Sequence, residues 1–137
     1  HIDLDKYKCN HPAGNIGKNL IKIKDIVKTE YPLVFIEKSV YLNLILLEMT
    51  KFSIGTCFFI GPNKKIIGIL TDGDIRRLLI NDPNLKTIEI NDLNKIFSYE
   101  TSLEKHVCDI NDLNRMKFIP IIENEQLIGI IDSRDYL

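Results

Sequence analysis

The chain has 137 residues, 45% of them apolar and 27% charged, which is enough to bury one core and excludes a disordered or collagen-like polymer. Eighteen basic residues face nineteen acidic ones, so a formal charge of -1 gives no bulk attraction to nucleic acid or anionic lipid, and neither is expected as a partner. No apolar run reaches the roughly 18 residues of a membrane-spanning helix, and Cys9, Cys57 and Cys108, widely spaced and without a C-x-x-C pair, fit a reducing cytoplasm better than a disulfide framework or a metal site.

The chain opens on His1 with no signal-peptide pattern and stops about one turn into an expected helix, so it reads as a piece of a longer protein. Residues 1–20 are expected to be a tail and linker. Ile23 to Lys28 suggests a short helix, which Pro32 stops before a brief strand at Leu33 to Ile36. Ser39 is the expected N-cap of the main helix, with Val40, Leu44, Leu47 and Lys51 on one face. Leu42, Ile45, Leu46 and Met49 widen the apolar arc, which predicts a mostly buried helix. Cys57 to Ile60 and Lys65 to Leu70 read as strands of a hairpin turning through Gly61-Pro62-Asn63. A second helix is expected from Thr71 through Ile75, Leu78, Leu79 and Ile80, ending before Pro83.

The stretch Ile67-Gly68-Ile69-Leu70-Thr71-Asp72-Gly73-Asp74-Ile75 recurs as Ile128-Gly129-Ile130-Ile131-Asp132-Ser133-Arg134-Asp135-Tyr136, 61 positions later, a spacing that suits a duplicated small α/β unit. The second copy then reads as a short helix from Asn91 to Phe97, a main helix from Ser102 to about Leu113, strands Phe118 to Ile122 and Gln126 to Ile131, and a last helix from Asp132. The expected fold is α/β (α+β): two pseudo-symmetric helix-strand-helix-hairpin-helix units, residues 21–83 and 84–137, the second shortened.

Thr71-x-x-Asp74 follows a strand and opens a helix. The bland reading is a capping box, in which each side chain satisfies an orphan backbone N–H and contributes about 1 kcal/mol. The functional reading uses the same geometry: helix N–H groups and a hydroxyl suit a phosphate, Gly73 lets backbone approach, and Asp74 can accept hydrogen bonds from a ribose diol.

Strand, Gly68-Ile69-Leu70-Thr71-Asp72-Gly73-Asp74 and helix, present twice, resemble the paired cystathionine-β-synthase (CBS) domain, or Bateman module. Leu47-Glu48-Met49-Thr50-Lys51, Thr71 to Leu78, and the upstream His11-Pro12-Ala13-Gly14-Asn15-Ile16-Gly17-Lys18 together resemble the C-terminal part of bacterial D-arabinose 5-phosphate isomerases. In those enzymes a sugar-isomerase (SIS) domain leads into a CBS pair, and the reaction serves the synthesis of Kdo, a lipopolysaccharide sugar.

The resemblance implies that residues 1–20 end the isomerase domain and that His11 is catalytic only in the complete enzyme. It implies a regulatory pair that is not an enzyme by itself, needs no metal, and forms a homodimer, or a tetramer in the complete protein. The implied ligands are AMP, ADP or ATP, generic to CBS pairs, which bind adenosine nucleotides in the cleft between the copies, or the pathway product CMP-Kdo. Nothing from Leu20 onward offers a Ser/His/Asp set or paired catalytic carboxylates. The alternatives are a structural dimerisation module with a degenerate site, or the CBS pair of a sugar nucleotidyltransferase.

The ligand-binding candidates are Gly68, Thr71, Asp72, Gly73, Asp74 and Arg76 in the first copy and Asp132, Arg134 and Asp135 in the second. Gly68 is expected to leave room for a base or ribose, and Gly129 matches it in the second copy. Arg76 or Arg134 can hold a phosphate or carboxylate in a fork, against the plainer role of exposed arginines paired with nearby acids. Asp132 stands where the first copy has Thr71 and where the isomerases commonly have His; its carboxylate sets like charge against a phosphate. Lys51, Phe58, Phe59 and Phe118 are weaker candidates, and Cys57 and Cys108 are expected to be packing residues.

Overall fold

The computed structural model describes residues 20–95, 99–100, 102–110 and 116–136. They fall into two compact units that do not follow the order of the chain. Of the described residues, 30–95 with 124–127 form one, and 20–29 form the other together with 99–100, 102–110, 116–123 and 128–136. The segment that precedes the first copy thus packs with the second.

In the first unit β1 (Leu33–Phe35) runs parallel to β3 (Thr56–Ile60), and β3 pairs antiparallel with β4 (Ile66–Thr71). Gly61 and Pro62 lead the hairpin turn as expected, and Asn63 and Lys64 take the left-handed conformation in it. Cys57, Phe58, Phe59 and Leu70 are fully buried, so Phe58 and Phe59 are core residues; Phe59 and Leu70 share their cluster with Val34, Ile45, Met49 and Ile75.

Two expectations fail in this unit. Ser39 does not cap the main helix: Ser39–Tyr41 is a strand, β2, antiparallel to β5 (Thr87–Glu89), and helix α2 (Leu42–Phe52) starts three residues later, its first N–H donating to Lys86 O at 2.9 Å. A β-branched Val40 beside Tyr41 suits the pairing with Thr87 and Ile88 better than a helical first turn. Nor is the helix mostly buried. Leu42, Ile45 and Met49 face the core, whereas Leu44 is 49%, Leu46 38% and Leu47 65% exposed. The buried residues follow a spacing of three and four, and the sheet covers only that stripe.

Helix α3 (Asp72–Asn81) begins and ends as predicted, with Thr71 as N-cap, Asp82 as C-cap and Pro83 beyond. After β5 a 3-10 turn at Ile90–Asp92 replaces the expected Asn91 to Phe97 helix, whose last two residues lie outside the described ones. The chain extends there because Asn94 pairs with Ile69, N–H to O at 2.9 and 3.0 Å in the two directions.

The second copy repeats the sheet: β6 (Tyr99–Glu100) is parallel to β7 (Phe118–Glu123), which neighbours β8 (Gln126–Asp132). Asn124 and Glu125 both have positive φ, as a tight two-residue hairpin turn requires. Helix α1 (Ile23–Ile26) precedes Lys28, whose backbone pairs with Ile130 at 2.7 and 2.9 Å as Asn94 does with Ile69. The predicted Ser102 to Leu113 helix is absent from 102–110, where only Val107–Asp109 forms a 3-10 turn; 111–115 lie outside the described residues. The carbonyls of Leu103 and Lys105 accept N–H bonds from Lys24 and Ile23, and Ile21 O accepts from Val107, so the backbone is already paired sideways. Among the described residues no helix is long and apolar enough to cross a membrane.

Candidate functional site

Both copies place their motif where an antiparallel strand ends in a helical turn, and the two turns are wired differently. At the first, Thr71 Oγ1 accepts the Asp74 N–H at 3.2 Å and Asp74 Oδ2 accepts the Thr71 N–H at 2.8 Å, a complete capping box. The other oxygen, Asp74 Oδ1, accepts a bond from Arg77 Nη2 at 2.6 Å. Burial pushes the Asp74 carboxyl up, but the bonds from Thr71 together with Arg77 outweigh it and hold the group below the usual carboxylate range. Arg77 is 70% exposed and holds Asp74 by one arm, so this half of the carboxylate is exchangeable.

The other first-copy candidates divide. Asp72 is exposed and its N–H donates to Gly55 O at 3.0 Å, which fixes the start of α3. A side chain on Gly73 would meet only the Arg77 guanidinium, from 3.4 Å, so the helix end stays approachable beside that arginine. Arg76 is exposed on the same helix. Gly68 is not open to a ligand: a Cβ there would lie 2.7 Å from Asn94 O and 2.9 Å from Leu93 Cβ, and its space is filled by that segment. Gly129 is closed likewise: a Cβ there would lie 2.5 Å from Val27 Cγ2 and 2.8 Å from Lys28 O.

At the second turn, Asp132 is the N-cap of a 3-10 turn at Ser133–Asp135 and its Oδ1 accepts the Arg134 N–H at 3.0 Å. Arg134 also forks onto the same carboxylate, Nε to Oδ1 at 3.0 Å and Nη2 to Oδ2 at 2.7 Å. Lys28 Nζ lies 4.0 Å from Asp132 Oδ2 and 3.8 Å from Asp135 Oδ2. The Asp132 side chain is 4% exposed. The Arg134 fork, above all, holds its carboxyl below the usual range, with the Arg134 N–H and Lys28 adding to it against burial. The Arg134 guanidinium also sits 5.8 Å from the ring centre of Phe118, which is buried and carries Lys117 Nζ at 5.5 Å.

Two residues of these turns escaped the sequence reading. Arg77 is not among the ligand-binding candidates, although its spacing of three from Asp74 on a helix is a direct signal. Lys28 has no local signal at all, because only the pairing with Ile130 brings it to Asp132. Lys51 lies over its neighbour Phe52, with Nζ 5.1 Å from the ring centre. Cys57 is a buried thiol, pushed up to about 12 by burial and by Glu48, and is inert packing, whereas Cys108, against expectation, is disulfide-bonded. Cys9, His11 and the segment through Lys18 lie outside the described residues. Among the described residues no three His, Cys, Asp or Glu side chains are grouped to hold a metal.

Two copies of a parallel-then-antiparallel three-strand unit, each ending in such a turn, define the class: the chain has the fold of a CBS domain pair. A solved CBS pair, in complex with 5′-methylthioadenosine and S-adenosyl-L-methionine, superimposes with a TM-score of 0.65 at 16% identity, over 85% of this chain and 92% of that one. In sequence the chain is similar to arabinose 5-phosphate isomerase KdsD of Escherichia coli, 24% identical over 139 residues, and to an uncharacterized protein of Rickettsia prowazekii, 33% identical over 136. Each of these matches takes in 97% of this chain and 42% of the relative, so the chain spans less than half of their length. No family model matches it.

Proposed function

We propose that the chain is the regulatory CBS pair of an arabinose 5-phosphate isomerase of Kdo and lipopolysaccharide synthesis in the cytoplasm, and that it binds an adenosine-containing nucleotide at the Thr71–Asp74 turn. The observation that carries the reading is the one-armed hold of exposed Arg77 on Asp74 at the N-terminus of a ten-residue helix. A ribose diol competes for Asp74 Oδ1, and the displaced Arg77 becomes available to a phosphate at the positive end of α3. The adenosine ligands of a CBS pair with the same fold and the likeness to KdsD along 97% of the chain support it. Regulation then requires that the nucleotide favour one state of the complete enzyme over another.

Thermal shift and titration calorimetry with AMP, ADP, ATP, CMP and CMP-Kdo test it, on the native chain and on Asp74→Ala. A response to an adenosine nucleotide that vanishes in the variant is expected. A response to CMP-Kdo alone would move the reading to product feedback, and silence from all five would leave the turn a plain cap.

A second role is compatible with the first. Exposed Leu44, Leu46 and Leu47 on α2, and Ile80 on α3, give apolar surface of the kind that a homodimer covers. Light scattering at rising concentration tests this, and a monomer throughout would remove it.

A further inference from the structure

We infer that the chain takes one phosphate-bearing ligand rather than two, because Arg134 closes the turn of the second copy. The inference rests on the nucleotide reading of the Thr71 turn and says what its duplicate has become.

Asp132 replaces a neutral hydroxyl with a carboxylate, and that carboxylate is buried and spoken for. Its Oδ1 accepts two bonds from Arg134 and its Oδ2 a third, the shortest at 2.7 Å. The guanidinium spends both Nε and Nη2 on this fork and stands near the Phe118 ring, so it is positioned from two directions. Arg77, by contrast, gives Asp74 one arm. Asp135 has no capping bond to give back, and faces the Lys28 ammonium at 3.8 Å. Both carboxylates of the turn are therefore engaged by cations, Asp132 by Arg134 and Lys28 and Asp135 by Lys28, and the nearby Lys117 Nζ lies over the Phe118 ring at 5.5 Å. A phosphate entering here has to break the Arg134 fork and then sit against bare Asp132.

Titration calorimetry with AMP reads the number of sites per chain. One site is expected in the native chain, none in Asp74→Ala, and two in the double variant Asp132→Thr with Arg134→Ala, where Thr restores a neutral N-cap. Two sites in the native chain, or one that survives Asp74→Ala, would overturn the inference. No binding by the native chain with one site gained in the double variant would uphold the closure and refute the reading of the Thr71 turn. No binding by either would refute both. The native chain and Asp74→Ala leave the second turn unaltered, so the inference stays open to refutation even where the double variant does not fold.

Discussion

Gly68 separates two accounts of the first motif, because a ligand pocket and a packing contact predict opposite effects of one added methyl. In the structure a Cβ at Gly68 falls 2.7 Å from the carbonyl oxygen of Asn94 and 2.9 Å from Leu93 Cβ. Neither obstacle is the free end of a side chain: the Asn94 segment is held to Ile69 by hydrogen bonds of 2.9 and 3.0 Å. Relief therefore requires moving backbone, and overpacking of this kind costs about 1–3 kcal/mol. For 137 residues the unfolding entropy is about 290 cal/mol/K, so Gly68→Ala is expected to lower Tm by about 3–10 °C. Gly73→Ala is the matched control. Its Cβ meets the exposed Arg77 guanidinium, at 3.4 Å, and replacing glycine in a helix gains up to about 1 kcal/mol, so Tm is unchanged or rises. Scanning calorimetry of the three proteins without ligand is the assay. A Gly68→Ala protein that melts within a degree of the native chain but loses nucleotide binding would refute the packing account and return Gly68 to the ligand.

Thr71→Ala removes one side of the capping box and is expected to cost about 1 kcal/mol, or about 3–4 °C in Tm, while Thr71→Ser stays close to native. Asp74 and Asp132 are both held below their unfolded value of about 3.9, so each stabilises the fold above that pH, and the contribution is lost as pH falls through the folded values. Melting from pH 6 to pH 3 should show the loss, and Asp132→Asn should flatten it. Leu47→Glu, on the open face of α2, is expected to leave Tm nearly unchanged and to abolish any dimer seen by light scattering. Site-resolved mass spectrometry should find Cys57 unmodified by iodoacetamide at pH 8 until denaturant is added, since its thiol is buried and pushed up to about 12.

What was legible in the sequence is what short range decides. The hairpin at Gly61-Pro62-Asn63, the start of α3 at Thr71 and its end before Pro83 depend on residues within a turn of one another, and each stands where its chemistry puts it. Ser39 misled because its partner, Glu89, is fifty residues away, and a sheet pairing at that distance overrides a good capping residue. The same cause removed the helix expected after Ser102. His106, Val107, Cys108 and Asp109 are all weak helix formers, and residues 21–24 take the hydrogen bonds that a helix needs. In the site, Asp74 was legible through its spacing from Thr71, whereas Lys28 reaches Asp132 only through a backbone pairing with Ile130 that no local pattern announces.

The two turns show how little sequence separates an adjustable turn from a fixed one. In both copies an acid stands three residues after the N-cap, and in both the chain entering the next copy lies against the strand before the motif, through Asn94 on Ile69 and Lys28 on Ile130. With Thr71 at the cap, the negative charge sits on Asp74, one oxygen goes to the backbone and the other meets an exposed arginine. With Asp132 at the cap, the charge moves to the buried position, draws both arms of Arg134, and leaves Asp135 to Lys28. Lys28 belongs to the entering segment, so the second turn joins that segment to the end of β8 by charge as well as by backbone. Breaking the Arg134 fork exposes a buried carboxylate to a single cation at 4.0 Å, whereas moving Arg77 leaves the first capping box intact. Arg77 can therefore leave its carboxylate with the first capping box still formed, whereas moving the Arg134 side chain takes two bonds from Asp132 and leaves it the Arg134 N–H at 3.0 Å.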